Sequence, residues 1–174
     1  MLTFWGQFLP NLIATLVGAF VGFLLALRFD HSSESRSRMG QEASLLRAAR
    51  DATEHNLKLL AQLKPILAAA PLIPSFAMDT VILDTLLPQL VQLSSDTDLL
   101  ARLNDFRFQL HHMSRKLDDL PRLNAIMMSS PAAGVLLIAG NLEKSGQGEL
   151  LPSINARIAS LEAVQRQWWK FWEG

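Results

Sequence analysis

The chain has 174 residues, which is enough for one domain of ordinary size and a membrane anchor. Basic and acidic residues number 16 each, so the formal net charge is zero. Binding to phosphates requires a clustered basic excess, and we therefore expect no nucleic-acid partner. Cysteine is absent, which excludes a disulfide scaffold, a thiolate metal site and a cysteine nucleophile.

The N-terminal region, 1–29, is apolar, and its core at 12–27 carries no charge. About 20–25 apolar residues in a helix span the hydrocarbon core of a bilayer. Trp5 occupies the interfacial position that aromatic residues favour. The sequence therefore predicts a transmembrane anchor at 1–29.

Basic residues lie on one side of this anchor only. None precedes it, whereas three arginines follow closely: Arg28, Arg36 and Arg38. The positive-inside rule therefore predicts a single-pass protein of the bacterial inner membrane, with its N-terminus outside and its C-terminal domain cytoplasmic. A cleaved signal peptide is the alternative, but it requires a basic start and a small-residue exit, and this segment has neither.

Small residues recur every four positions through the anchor: Ala14, Gly18, Gly22 and Ala26. At this spacing they share one face of a helix, which we call the small-residue face. Such faces allow two helix backbones to approach closely in lipid. We therefore expect membrane lipid and another transmembrane helix as partners, although incidental glycines in an isolated anchor are the alternative.

The chain after the anchor has the pattern of an all-α protein, with four or five helices in a bundle over 42–174. Serine and charge at 30–41 predict a polar juxtamembrane tether or a frayed helix start. A first helix is expected over about 37–64, ended by Pro65. A second is expected over 78–93, with Asp79 as its N-cap and a kink or break at Pro88.

The third helix has the most regular pattern in the chain. Its apolar residues alternate by four and three: Leu99, Leu103, Phe106, Leu110, Met113, Leu117 and Leu120. This spacing predicts burial against neighbouring helices, and Ser95 with Asp98 resembles a capping box. Segment 123–142 lacks charge, and it is either a second span or a buried helix that begins at Pro131. A break at 145–148 and a last helix over 152–172 complete the prediction.

The C-terminus carries an aromatic tail, which comprises Trp168, Trp169, Phe171 and Trp172. These rings cannot all face one bundle core. Tryptophan favours interfaces because its apolar ring carries a polar N–H group. The tail is therefore expected to meet lipid, to bind a partner protein, or to complete the core with some of its rings.

Few residues are candidates for a catalytic, metal or phosphate site, and ordinary structural roles explain each of them. Neighbouring His111 and His112 point about 100° apart on a helix, so they do not easily share a metal, although Glu54-His55 could join His112. Asp118 and Asp119 fit solvated helix residues. The glycines at 146 and 148 alone do not make a phosphate loop. We therefore expect no catalytic, cofactor or metal site and no enzyme activity.

Two segments carry a resemblance to known sequences: NLIATLVGAFVGFLLALRF at 11–29 and LLRAARDATEHNLKLL at 45–60. Their order resembles a broad group of uncharacterised prokaryotic proteins with one N-terminal span and a cytoplasmic helical domain. The anchors of that group look like N-L-x-A-T-L-x-G-x-x-x-G, which Asn11, Ala14, Thr15, Gly18 and Gly22 match. His55-Asn56-Leu57 approximately matches the helix that follows. The resemblance covers about a third of the chain, implies an anchored helical protein and transfers no catalytic residue.

These patterns together predict a non-enzymatic accessory subunit, or an assembly or scaffold factor, of a larger membrane complex. The alternative is a membrane-anchored signalling or regulatory module that associates with itself through the anchor. In either case the anchor supplies location and one contact, and the bundle supplies another.

Overall fold

The computed structural model confirms an all-α protein. It describes the backbone of residues 2–69, 78–126 and 131–173, and the side chains of residues 18–24, 34–67, 78–120 and 132–167. Within these ranges no strand occurs. The helices are α1 (Leu2–Ala69), α2 (Val81–Leu93), α3 (Thr97–Ile126), α4 (Pro131–Ser145) and α5 (Leu151–Glu173), with a π-helical turn (Gly146–Leu150) between the last two.

Packing divides the chain into two units, Met1–Met39 and Gly40–Gly174. The first unit is the N-terminal part of α1, and its described apolar side chains over 18–24 are exposed. Among the described residues, no helix is long and apolar enough to cross a membrane. The side chains of most of the predicted anchor, 1–17 and 25–29, lie outside the described residues, so the span stays a prediction.

The second unit is a helical bundle in which α4 and α5 run antiparallel to α1. Lys64 near the end of α1 pairs with Glu143 of α4, whereas Arg47, earlier on α1, lies 2.6 Å from Glu162 of α5. The helix α3 packs along α4 and also contacts the π-helical turn. The short α2 packs on α3. The bundle core therefore lies between α1, α3 and the α4–α5 pair.

The heptad prediction for α3 is confirmed. All seven of its a and d residues are buried, with exposures of 5% or less: Leu99, Leu103, Phe106, Leu110, Met113, Leu117 and Leu120. Their positions fall on one stripe of the helix, which faces the neighbouring helices. This stripe supplies a large part of the bundle core.

A buried asparagine fixes the start of α2. Asn56 of α1 is fully buried, and its Nδ2 donates to the backbone oxygen of Asp79 at 2.7 Å. The backbone N–H of Asp79 donates in return to Oδ1 of Asn56 at 3.0 Å. The side-chain amide thus satisfies both backbone groups of Asp79, which would otherwise lose their hydrogen bonds to water.

Two predicted caps differ from the structure. Asp79 does not cap α2, because its backbone is bonded to Asn56 and the N-cap position is Thr80. At the start of α3 the backbone N–H of Leu99 donates to Oδ1 of Asp96 at 3.0 Å. Asp96 is therefore the capping residue, in place of the predicted Ser95 and Asp98 pair.

Several predicted helix ends are absent. The segment 30–41, expected as a tether or a frayed start, is part of α1, where Glu34 and Arg38 form an i,i+4 ion pair of 2.6 Å. Pro65 does not end α1, which continues to Ala69, and α2 continues through Pro88. Burial of Leu63 and Leu67 around Pro65 provides packing that offsets the missing backbone hydrogen bond.

The predicted break at 145–148 is also absent, because α4 passes into α5 through the π-helical turn. The backbone N–H of Leu151 reaches the carbonyl of Gly146, five residues earlier. Pro152 follows at once, and a proline has no N–H for a regular α-helical bond and crowds the preceding turn. The wider turn accommodates the proline without ending the helix. The described backbone of α4 begins at Pro131, and 127–130 lie outside the described residues, so the predicted helix start stays a prediction.

Candidate functional site

The small-residue face is described at two of its four positions. Gly18 and Gly22 are exposed on α1, and no atom outside their own helix turn lies within 4 Å of where a Cβ would stand. Phe20 and Phe23 beside them are 63% and 59% exposed. The side chains of Ala14 and Ala26 lie outside the described residues. The two glycines thus leave backbone open to another helix, and the role of the face stays a prediction.

The interface aromatics predicted from the sequence lie outside the described side chains: Trp5, Trp168, Trp169, Phe171 and Trp172. The backbone of α5 continues through the aromatic tail to Glu173.

The described histidines, His55, His111 and His112, are not brought together as a metal site. His111 is half-buried and its Nε2 lies 3.1 and 3.2 Å from the two carboxylate oxygens of Asp84 on α2. His112 and His55 are exposed. In the described part of the chain, no three residues of the metal-binding types cluster to hold an ion. Sequence reasoning missed the Asp84 partner, because it lies 27 residues from His111 on another helix.

Asp84 is the centre of a polar contact between α2 and α3. It accepts hydrogen bonds from Nε of Arg107 and from His111. Partial burial raises the pKa of the Asp84 carboxyl, but the hydrogen bonds and charges of His111 and Arg107 outweigh burial, and the pKa falls below its usual value. This contact keeps a carboxylate ionised at the side of α2, and it holds α2 on the bundle.

Asp118 and Asp119 are both exposed, as expected for solvated helix residues. Gly146, in contrast, is buried in the π-helical turn and packs against the bundle core. A Cβ at this position would lie 2.9 Å from Leu57 Cδ2 and 2.9 Å from Phe106 Cε2. This glycine therefore serves close packing.

An open cleft of about 380 Å³ lies between the first turns of α3 and the first half of α5. Its lining includes two carboxylates, two guanidinium groups and two hydroxyls. The lining residues are Asp96, Asp98, Leu99, Arg102, Ser153, Ala156, Arg157 and Ser160. Sequence reasoning missed this cleft, because its two halves are separated by about fifty residues and neither half has a motif.

A buried ion pair stands at the inner wall of the cleft. Nε and Nη2 of Arg157 lie 2.9 and 2.8 Å from Oε1 of Glu42 on α1. The side chain of Glu42 is only 5% exposed and that of Arg157 is 24% exposed. A charged carboxylate of this burial requires a charged partner, so the pair holds the guanidinium in place.

Comparisons of the chain with protein-family models, with curated proteins and with solved structures find no match. They supply no activity for the chain, and its function rests on the chemistry of its own residues.

Proposed function

We propose that the protein is a membrane-anchored helical binding protein, and that it serves as an accessory subunit or assembly factor of a larger membrane complex. The observation that carries the proposal is at the N-terminus: no charged residue occurs before Arg28. On the described part of this helix, apolar side chains such as Phe20 and Phe23 are exposed. Such a surface is unfavourable in water and favourable in lipid.

The second support is the open backbone at Gly18 and Gly22. A neighbouring helix gains van der Waals contact and weak backbone hydrogen bonds where small residues allow close approach. In the proposed arrangement the anchor enters the inner membrane once, with the N-terminus outside. The small-residue face then binds a transmembrane helix of the complex.

The bundle supplies a cytoplasmic contact in this proposal. Its core is well filled, yet single apolar side chains project on several helices, among them Val81, Phe108 and Leu137, each at least 68% exposed. Scattered exposed apolar residues are common and do not define an interface by themselves. They could contact a partner protein once the transmembrane anchor has brought the two proteins close together.

Topology is the first test. Spheroplasts are prepared from cells that express the full chain and are treated with an external protease. An antibody against the 40–174 unit then measures how much of that unit remains. The proposal expects this unit to remain intact until the membrane is permeabilised. Digestion in sealed spheroplasts would contradict the cytoplasmic assignment, and recovery of the whole chain without detergent would contradict the anchor.

Co-purification is the second test. The full chain is extracted in mild detergent, and the expected result is a foreign membrane subunit in constant ratio. Gly18→Leu or Gly22→Leu should reduce its recovery, because a leucine side chain separates the helix backbones. Phe20→Leu is the matched control, since it lies about 160–200° from both glycines and leaves the face intact. Equal loss in all three variants would exclude the face as the contact, and recovery of a homodimer alone would favour the regulatory module.

A further inference from the structure

We infer that the cleft between α3 and α5 binds a small zwitterion, with one ammonium and one carboxylate group, of amino-acid to dipeptide size. The cleft measures about 380 Å³, which is near the lower end of the range for small-molecule sites. Its four charged side chains are of both signs and equal in number. A ligand with one ammonium and one carboxylate group can form hydrogen bonds with both kinds of side chain, whereas a ligand with a single charge can use only one kind.

The carboxylate half of the ligand is assigned to the two arginines. A guanidinium carries five N–H donors, and Arg157 uses two of them on Glu42. Because Glu42 is buried, the Arg157 guanidinium is already oriented when the ligand arrives. Arg102 makes a long contact of 3.4 Å to Glu149, whose side chain is 66% exposed, so this contact is readily exchanged for a ligand carboxylate.

The ammonium half is assigned to the first turn of α3 and to the hydroxyls of α5. Asp98 is exposed on this turn, and Asp96 uses Oδ1 to cap the helix, which leaves its second oxygen as an acceptor. The hydroxyls of Ser153 and Ser160 donate to the backbone oxygens of Glu149 and Arg157. Their lone pairs therefore remain to accept hydrogen bonds, which an ammonium group donates.

Calorimetric titration of the full chain in mild detergent tests the ligand class. The probes are L-alanine and L-alanyl-L-alanine, together with two single-charge analogues of the dipeptide. N-acetyl-L-alanyl-L-alanine lacks the ammonium group, and L-alanyl-L-alanine amide lacks the carboxylate. We expect at least one zwitterion to bind saturably, and each analogue to bind roughly 10–100-fold more weakly, since each loses charge-assisted hydrogen bonds. Absence of saturable binding by both zwitterions up to about 10 mM, or equal binding of an analogue, would overturn the inference.

Two variants locate the binding. Asp98→Asn and Arg102→Gln each remove one charge at an exposed position, so they leave the bundle core unchanged. Each should weaken zwitterion binding roughly tenfold or more. The matched controls Asp118→Asn and Arg115→Gln make the same charge changes on α3 outside the cleft. If the controls weaken binding as much as the cleft variants do, the ligand does not occupy the cleft and the inference is wrong.

Discussion

Replacement of Gly146 by alanine tests the packing of the π-helical turn. The added Cβ would stand 2.9 Å from both Leu57 Cδ2 and Phe106 Cε2. These neighbours are 5% and 2% exposed, so neither can swing into solvent to make room. Overpacking of this kind costs about 1–3 kcal/mol, whereas alanine gains about 1 kcal/mol over glycine in helix propensity. Gly146→Ala should therefore unfold with a free energy up to about 2 kcal/mol lower than the native chain.

Gly148→Ala is the matched control, because it lies in the same turn and no atom lies within 4 Å of its added Cβ. It gains the same propensity without the close contact, so it should be stabilised by up to about 1 kcal/mol. Urea unfolding of the full chain in mild detergent, followed by circular dichroism, measures both. Both variants gain the same helix propensity, so it cancels when their unfolding free energies are subtracted. The difference should therefore equal the overpacking cost, about 1–3 kcal/mol. Two variants that agree within about 0.5 kcal/mol would refute the packing explanation.

Three further predictions concern contacts within the bundle. Asn56→Ala removes both hydrogen bonds to the Asp79 backbone and should lower the unfolding free energy by about 1–3 kcal/mol, measured by urea unfolding. Leu110→Ala should cost about 2–5 kcal/mol because Leu110 is fully buried, whereas Phe108→Ala, at a side chain that is 68% exposed, should change stability little; equal losses would contradict the heptad packing. The depressed pKa of Asp84 contributes stability that is present above its unfolded pKa, near 3.8, and is lost as the pH falls through the lower folded pKa. The stability of Asp84→Asn should therefore fall less than that of the native chain as the pH is lowered through this window, and parallel pH profiles would show that the carboxylate has no such role.

The helical class and the core of α3 could be predicted from the sequence because both depend on local periodicity. Apolar residues that alternate by four and three positions indicate a helix with one buried stripe. All seven such residues of α3, from Leu99 to Leu120, are buried.

Helix ends were the weaker predictions, because packing around a breaker can outweigh its local preference. Pro65 and Pro88 each remove one backbone hydrogen bond, yet buried leucines on both sides of each proline hold the helix: Leu63 and Leu67 around Pro65, and Leu83 and Leu90 around Pro88. The composition at 146–148, with two glycines, favours a loop. Gly146 instead lies where a side chain would collide with Leu57 and Phe106. This requirement comes from tertiary packing, which local sequence patterns do not reveal.

The candidate cleft could not be predicted from the sequence at all. Its ligand-binding groups come from two helices, and neither Asp98 with Arg102 nor Ser153 with Arg157 forms a motif. The same holds for the Glu42 and Arg157 pair, whose members are separated by 115 positions. Long-range polar pairs depend on how helices align, and a single sequence carries little information on that alignment.

The π-helical turn also sets the rotational phase between α4 and α5. The buried residues of the two helices continue one stripe through the turn: Val135, Ala139, Leu142, Gly146, Leu150, Ile154, Ile158 and Leu161. Over the 26 positions from the first to the last, an uninterrupted α-helix would rotate this stripe by roughly 80° away from the core. A π turn absorbs about one extra residue, or roughly 100°, and so cancels most of that drift. The turn thus lets the helical stretch from Val135 to Leu161 keep one side toward its neighbours without supercoiling.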